Sequence, residues 1–169
     1  QIISNNGFKV VGYSGLWDAY KDTDARPDGK VWDMYSNTSN FTFVTDQDKG
    51  SGGTIEGDKY NREHSFPQSW FEKASGDMKS DLFNVYPTDK LVNNKRSNYP
   101  YGETNGEIYK SDNGFSKLGT CTFPGYSGTV FEPNDQYKGD FARSYFYIAT
   151  CYEDVFPRFG GEMTAGNSY

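Results

Sequence analysis

Arg62, Glu63 and His64 occupy three successive positions, and His64 is the only histidine in the chain. The triplet sets a cation, a hard anionic oxygen ligand and a base able to titrate near neutrality side by side. A single histidine has no special role by identity alone, since most are surface or satisfied structural residues. Its neighbours are what make His64 a candidate general base and Glu63 a candidate metal ligand. A strand through this segment would send Glu63 and His64 to opposite faces. A shared site therefore requires a twist or a strand end, which Pro67 could supply.

One histidine and two cysteines exclude a zinc site of the usual four-ligand kind. Any metal should be hard. Mg2+ fits best, with Ca2+ or Mn2+ as substitutes, because it accepts one or two protein oxygens and completes its shell with water and phosphate. Asn93-Asn94-Lys95-Arg96 could offer an amide oxygen to such a metal and cationic groups to a phosphate. The plain alternative for that run is the solvated face of a surface helix. Arg62, Lys79, Lys95, Arg96 and Asn98 are the candidate substrate contacts, Arg96 foremost for the phosphate. Asp18, Asp22, Asp24 and Asp28 lack the spacing and terminal Glu of a calcium loop and read as helix-end and turn residues. Tyr99 and Tyr101 could stack on bases, although core packing is the commoner fate of such rings.

A net charge of -6 and a pI near 4.8 argue against coating nucleic acid by bulk electrostatics. They leave room for a local basic site on an acidic body. Hydrophobic residues make up 34% of the 169-residue chain and aromatics 18%, so the core must be built largely from Tyr, Phe and Trp, with few long helices. The length suits one domain spanning 1–169. No stretch is apolar and long enough to cross a bilayer. Residues 1–11 carry no basic leader, so a secretory signal is expected to be absent or already removed. Cys121 and Cys151 are as compatible with two thiols as with one disulfide.

The elements that must position the triplet follow from pattern. A short helix is expected at 14–20 with Ser14 as its cap, a turn at 24–29, and paired strands at 31–35 and 41–44. A glycine-rich loop spans 49–57. A strand at 60–66 ends at Pro67, which starts a short helix, and a second strand at 82–86 ends at Pro87. A capped helix follows from Thr88, with Leu91 and Val92 inward. The order is strand, strand, helix. Asn105-Gly106 and Asn113-Gly114 flank an expected hairpin at 107–110. The longest helix is expected at 138–153, with Phe141, Tyr145, Ile148 and Tyr152 as one apolar stripe. The fold class is α+β: short strands and a few helices in one mixed domain.

Three stretches together resemble the endonuclease I family of secreted bacterial ββα-metal (His-Me finger) nucleases. They are Arg-Glu-His-Ser-Phe-Pro-Gln-Ser at 62–69, Ser-Asp-Leu-Phe-Asn-Val-Tyr-Pro-Thr-Asp at 80–89, and Val-Asn-Asn-Lys-Arg-Ser-Asn-Tyr-Pro at 92–100. The stretch at 137–150 resembles the family's later helix. The resemblance implies that Glu63 and Asn93 hold the metal, that His64 is the general base, and that strand, strand and helix form the finger presenting them to one phosphate. Some members carry His where this chain has Phe83. Members also have a longer helical start and a basic C-terminal stretch, so the chain is expected to lack both segments.

The implied activity is magnesium-dependent, non-specific endonucleolytic hydrolysis of DNA, and in addition of RNA, leaving 5′ phosphates. A monomer acting in the periplasm or outside the cell is implied with it. The alternative is a non-catalytic module on the same fold that binds nucleic acid or glycans through exposed Tyr and Trp and needs no magnesium.

Overall fold

The computed structural model describes residues 11–71 and 76–154. Among the described residues two small sheets and four α-helices make a mixed α/β arrangement in which most of the backbone is loop. The first helix, α1, runs Leu16–Thr23 and buries Leu16 and Tyr20; its cap position is Gly15, without a side-chain cap bond, rather than Ser14. The turn after it closes with Gly29 N–H donating to the Arg26 carbonyl at 2.8 Å.

The strands expected at 31–35 and 41–44 do not form. Val31 N–H does reach the Phe41 carbonyl at 3.0 Å, but Tyr35 N–H donates at 2.8 Å to the Asp33 carboxylate instead of a neighbouring strand. Val44 sits at φ 69°, which breaks an extended run. A short polar side chain capturing a nearby N–H competes directly with a ladder.

The central unit is as the pattern required. Strand β1 (Tyr60–His64) pairs antiparallel with β2 (Val85–Asp89), and helix α3 (Lys90–Arg96) follows; the short α2 (Gln68–Phe71) lies between the strands in sequence. β2 begins later than expected because 81–84 form a turn, with Asn84 and Val85 N–H both donating to the Asp81 carbonyl at 2.9 Å. Pro87 does not end β2 but pairs with Arg62 inside it. Flanking bonds from Ser65 N–H to Asn84 O and from Lys90 N–H to Lys59 O put the hydrogen-bonded pairs at the odd positions of β1. The Pro87 nitrogen thus faces away from β1, where no donor is needed.

A three-stranded antiparallel sheet joins β3 (Tyr109–Lys110), β4 (Lys117–Thr120) and β5 (Thr129–Glu132) in that order. The hairpin turns at Asn113-Gly114, both at positive φ (59° and 66°), which is the backbone this dipeptide favours. Helix α4 (Asp135–Cys151) starts a turn earlier than its apolar stripe, capped by Asn134, whose side chain accepts from Gln136 N–H.

The core is aromatic as composition required. Tyr35, Val92, Leu118, Phe131 and Phe141 join α3, the larger sheet and α4, while Phe66, Trp70, Phe71, Met78 and Ile148 fill the space beneath the other end of α4. Tyr101, a candidate stacking platform, instead packs on Phe141 with centroids 4.9 Å apart. Cys121 and Cys151 are free thiols. Among the described residues no helix is long and apolar enough to cross a membrane.

Candidate active site

Alternation along β1 divides the sequence candidates between two faces. Asn61 and Glu63 face one way, toward α3; Arg62 and His64 face the other, toward α1. His64 is the last residue of β1, so the two faces adjoin where the strand ends.

On the His64 face, the ring is stacked on Tyr13 with centroids 5.9 Å apart and lies 5.9 Å from Phe71. Its Nε2 is 3.1 Å from the Lys79 carbonyl, presented by a 3-10 turn at Asp77–Ser80. A carbonyl only accepts, so in the neutral ring Nε2 carries the proton and Nδ1 keeps the lone pair. Burial pulls the imidazole down to about 4, aided by the charges of Arg96, Lys79 and Arg62. At neutral pH the ring is therefore uncharged and able to accept a proton. Arg62 lies 3.5 Å over the Tyr13 ring and 4.4 Å from that of Trp17, with one N–H donated to the Tyr13 carbonyl at 2.7 Å. Lys79 Nζ is 5.1 Å from the same Tyr13 ring. Two of the expected phosphate contacts thus gather around Tyr13 beside the base.

On the Glu63 face, Arg96 occupies the centre. It has no accessible surface and donates to the Glu63 carboxylate, to the His64 carbonyl at 2.7 Å, to the Ser65 carbonyl at 2.6 Å and to the Tyr99 carbonyl at 3.1 Å. That corrects its expected place as the phosphate contact, because its donors are already committed inside the fold. Burial pushes the Glu63 carboxyl up, opposed by Arg96 and by the Tyr35 hydroxyl, which donates to Glu63 Oε1 at 2.7 Å. Both bonds use Oε1.

Asn93 lies on α3 with its Nδ2 donating to Asn61 Oδ1 at 2.7 Å. With the nitrogen bonded to Asn61, the amide oxygen accepts no hydrogen bond among the described residues. One carboxylate oxygen and one amide oxygen are the hard donors that Mg2+ accepts. No group of three or more His, Cys, Asp and Glu comes together among the described residues, so a metal held by Glu63 and Asn93 would take most of its shell from water and substrate. The donor set fits that ion. Asp89 places α3 by capping it: its Oδ1 accepts from Val92 N–H at 3.0 Å and its Oδ2 from Gly57 N–H at 2.7 Å.

The remaining candidates lie elsewhere. Lys95 is exposed and extends over the Tyr109 ring at 5.6 Å, and Asn98 Nδ2 is 3.4 Å from Ser69 Oγ. Three residues that hold the site were not singled out from sequence: Tyr13, Tyr35 and Asn61. Asn61 was accessible to period-two reasoning, two positions before Glu63; the two tyrosines reach the site from distant loops and carry no local signal.

The chain is 33% identical over 153 residues to an extracellular ribonuclease of Bacillus amyloliquefaciens, covering 88% of this chain and 46% of that protein. It is 32% identical over 152 residues to an extracellular ribonuclease of Bacillus subtilis strain 168, with the same coverage of 88% and 46%. An endonuclease-1 of Buchnera aphidicola is 30% identical over 85 residues, half of this chain and 31% of that protein. The chain spans somewhat under half the length of the two ribonucleases it matches. The profile of the family described as Endonuclease I matches residues 1–169, and the chain belongs to that family.

Proposed function

We propose that this chain is the catalytic domain, over 1–169, of a secreted endonuclease of the ββα-metal (His-Me finger) type. It hydrolyses DNA and RNA phosphodiesters with little sequence preference, as a monomer in the periplasm or outside the cell. The observation that carries the reading is His64: uncharged at neutral pH, its Nε2 turned to the Lys79 carbonyl and its Nδ1 left as an acceptor, with two cations on the neighbouring Tyr13. The family match and the relatives named ribonuclease and endonuclease support it.

In this mechanism Nδ1 of His64 removes a proton from water as that water attacks phosphorus in line. Arg62 and Lys79 hold the phosphate oxygens, positioning the substrate without reading sequence. Glu63 and Asn93 would hold Mg2+, which supplies positive charge against the departing 3′ oxygen. Arg96 contacts no reacting atom; it fixes Glu63 from behind. Cleavage at the 3′ oxygen leaves a 5′ phosphate.

The test incubates supercoiled plasmid and a structured RNA with the protein, with Mg2+ or with EDTA, beside His64→Ala. General-base catalysis contributes roughly 10²- to 10⁴-fold, so His64→Ala should lose at least that much while Mg2+ still binds by calorimetry. Near-full activity in the variant would remove His64 from the mechanism. Absence of cleavage by the folded wild type would favour a non-catalytic binding module.

A further inference from the structure

A cavity of about 330 Å³ opens between β2 and α4, with Trp32, Phe83, Tyr86 and Tyr147 as its walls and Asp140 and Arg143 at its rim. Its aromatic surface is not hidden. Phe83 is 62% exposed and Trp32 38%. The walls are nonetheless fixed: Trp32 Nε1 donates to the Tyr137 hydroxyl at 3.0 Å, the Tyr86 and Ser144 hydroxyls are 2.6 Å apart, and Tyr147 donates to Asp81 at 2.9 Å. Phe83 rests against Tyr147 with centroids 4.9 Å apart. Rigid exposed rings in a concavity mark a ligand surface more often than a packing error.

Position ties this cavity to the reacting centre. Tyr86 pairs with Glu63 across β1 and β2, a register in which Cα atoms stand about 5.5 Å apart. Asn84, next to Phe83, accepts at its carbonyl from Ser65 N–H, one residue past His64. Opposite residues of a ladder share a face, so Tyr86 lies on the Glu63 side of the sheet. Phe83, two residues before β2, stands at the strand end where that side adjoins the His64 side. A nucleic acid strand crossing that end, with its phosphate beside His64, would lay a neighbouring base toward Phe83. The rim suits a base edge: Arg143 offers donors and Asp140 an acceptor, the two being paired with each other at 2.5 Å in the free protein.

We propose that the Phe83–Tyr147 cavity is a nucleobase subsite, which takes one unstacked base of a single-stranded or locally unpaired substrate; the proposal rests on the nuclease reading. Bases enter such a site only once splayed from a duplex, and stacking on an aromatic ring is tolerant of base identity. Non-specific cleavage and a preference for unpaired strands follow together.

Binding of a short single-stranded oligonucleotide is measured in EDTA, so that nothing is cleaved, against the same strand made abasic at each position in turn. Wild type should lose roughly 10- to 100-fold in affinity at one abasic position. In Phe83→Ala that ratio should fall to near one, and in Phe83→Trp it should return, with Phe83→Leu remaining low because an aliphatic side chain does not stack. Equal ratios in wild type and Phe83→Ala, or no abasic effect in wild type, would overturn the subsite. Cleavage with Mg2+ is scored separately. A chain that cuts with no dependence on Phe83 keeps the nuclease reading and loses the subsite; base-dependent binding without cleavage does the reverse.

Discussion

A charge as fully enclosed as Arg96 persists only because its donors meet acceptors: the Glu63 carboxylate and the carbonyls of His64, Ser65 and Tyr99. Truncation would leave Glu63 buried and unpaired, a loss of about 3–5 kcal/mol. Arg96→Ala should therefore lower the denaturation midpoint sharply, and Arg96→Lys should recover only part, since an ammonium cannot reproduce the fork. A stable Arg96→Ala with weakened phosphate binding would return this residue to the role its sequence suggested. His64 carries a second residue-scale expectation. It titrates near 6.5 when unfolded and at about 4 in the fold. Between those values the unfolded chain holds a proton that the folded one does not, so this contribution is intact above about 6.5 and is lost as pH falls toward 4. The full difference is about 3 kcal/mol. Asp24 and Asp33, pushed up by burial to about 6 and about 7, act with the opposite sign in an overlapping window. The comparison that isolates His64 is urea unfolding of wild type and His64→Gln at pH 4 to 8: the gap between their stabilities should narrow or reverse as pH falls, and a constant gap would contradict the buried neutral ring.

The helix that carries both Asn93 and Arg96 spans only seven residues and depends on its cap. Asp89 accepts from Val92 N–H at its start and from Gly57 N–H in the preceding loop. Asp89→Ala should cost about 1–2 kcal/mol by chemical denaturation, while Asp89→Asn, itself a good cap, should keep most of that. Equal losses in the two variants would show that the carboxylate charge, not the cap, matters. Elements of this kind were legible because their signals are local: the polar cap before Leu91-Val92, the stripe of Phe141, Tyr145 and Ile148, the Asn113-Gly114 turn. The strand pair expected at 31–44 failed for a reason of longer range, since Asp33 turns its carboxylate to the Tyr35, Asp89 and Ser39 donors and bends the chain around them. β4 and β5 went unread because Lys117–Thr120 and Thr129–Glu132 are only four residues long, too short to display a clear alternation. In the site, the identities at Glu63, His64 and Asn93 stood out in the sequence, whereas the burial of Arg96 and the contributions of Tyr13 and Tyr35 required the fold.

Across the whole molecule, the charge balance limits how nucleic acid can be held. A body with net charge -6 repels a polyanion at long range, so attraction must come from the few cations near the base. Arg62 and Lys79 share the Tyr13 ring beside His64, and each phosphate they neutralise releases counterions. For a single strand the logarithm of the binding constant should fall with the logarithm of salt concentration at a slope of about -0.7 per phosphate. Two contacts give a shallow slope of about -1.4, where a protein that coats the backbone with many contacts falls several times more steeply. Measured in EDTA from low to moderate salt, Lys79→Ala should lower the magnitude of the slope by about 0.7. Phe83→Ala should weaken binding without changing the slope, because stacking displaces no counterions. A steep slope in the wild type, or one unmoved by Lys79→Ala, would place the phosphate contacts on other residues and leave His64 without the neighbours that bring a phosphate to it.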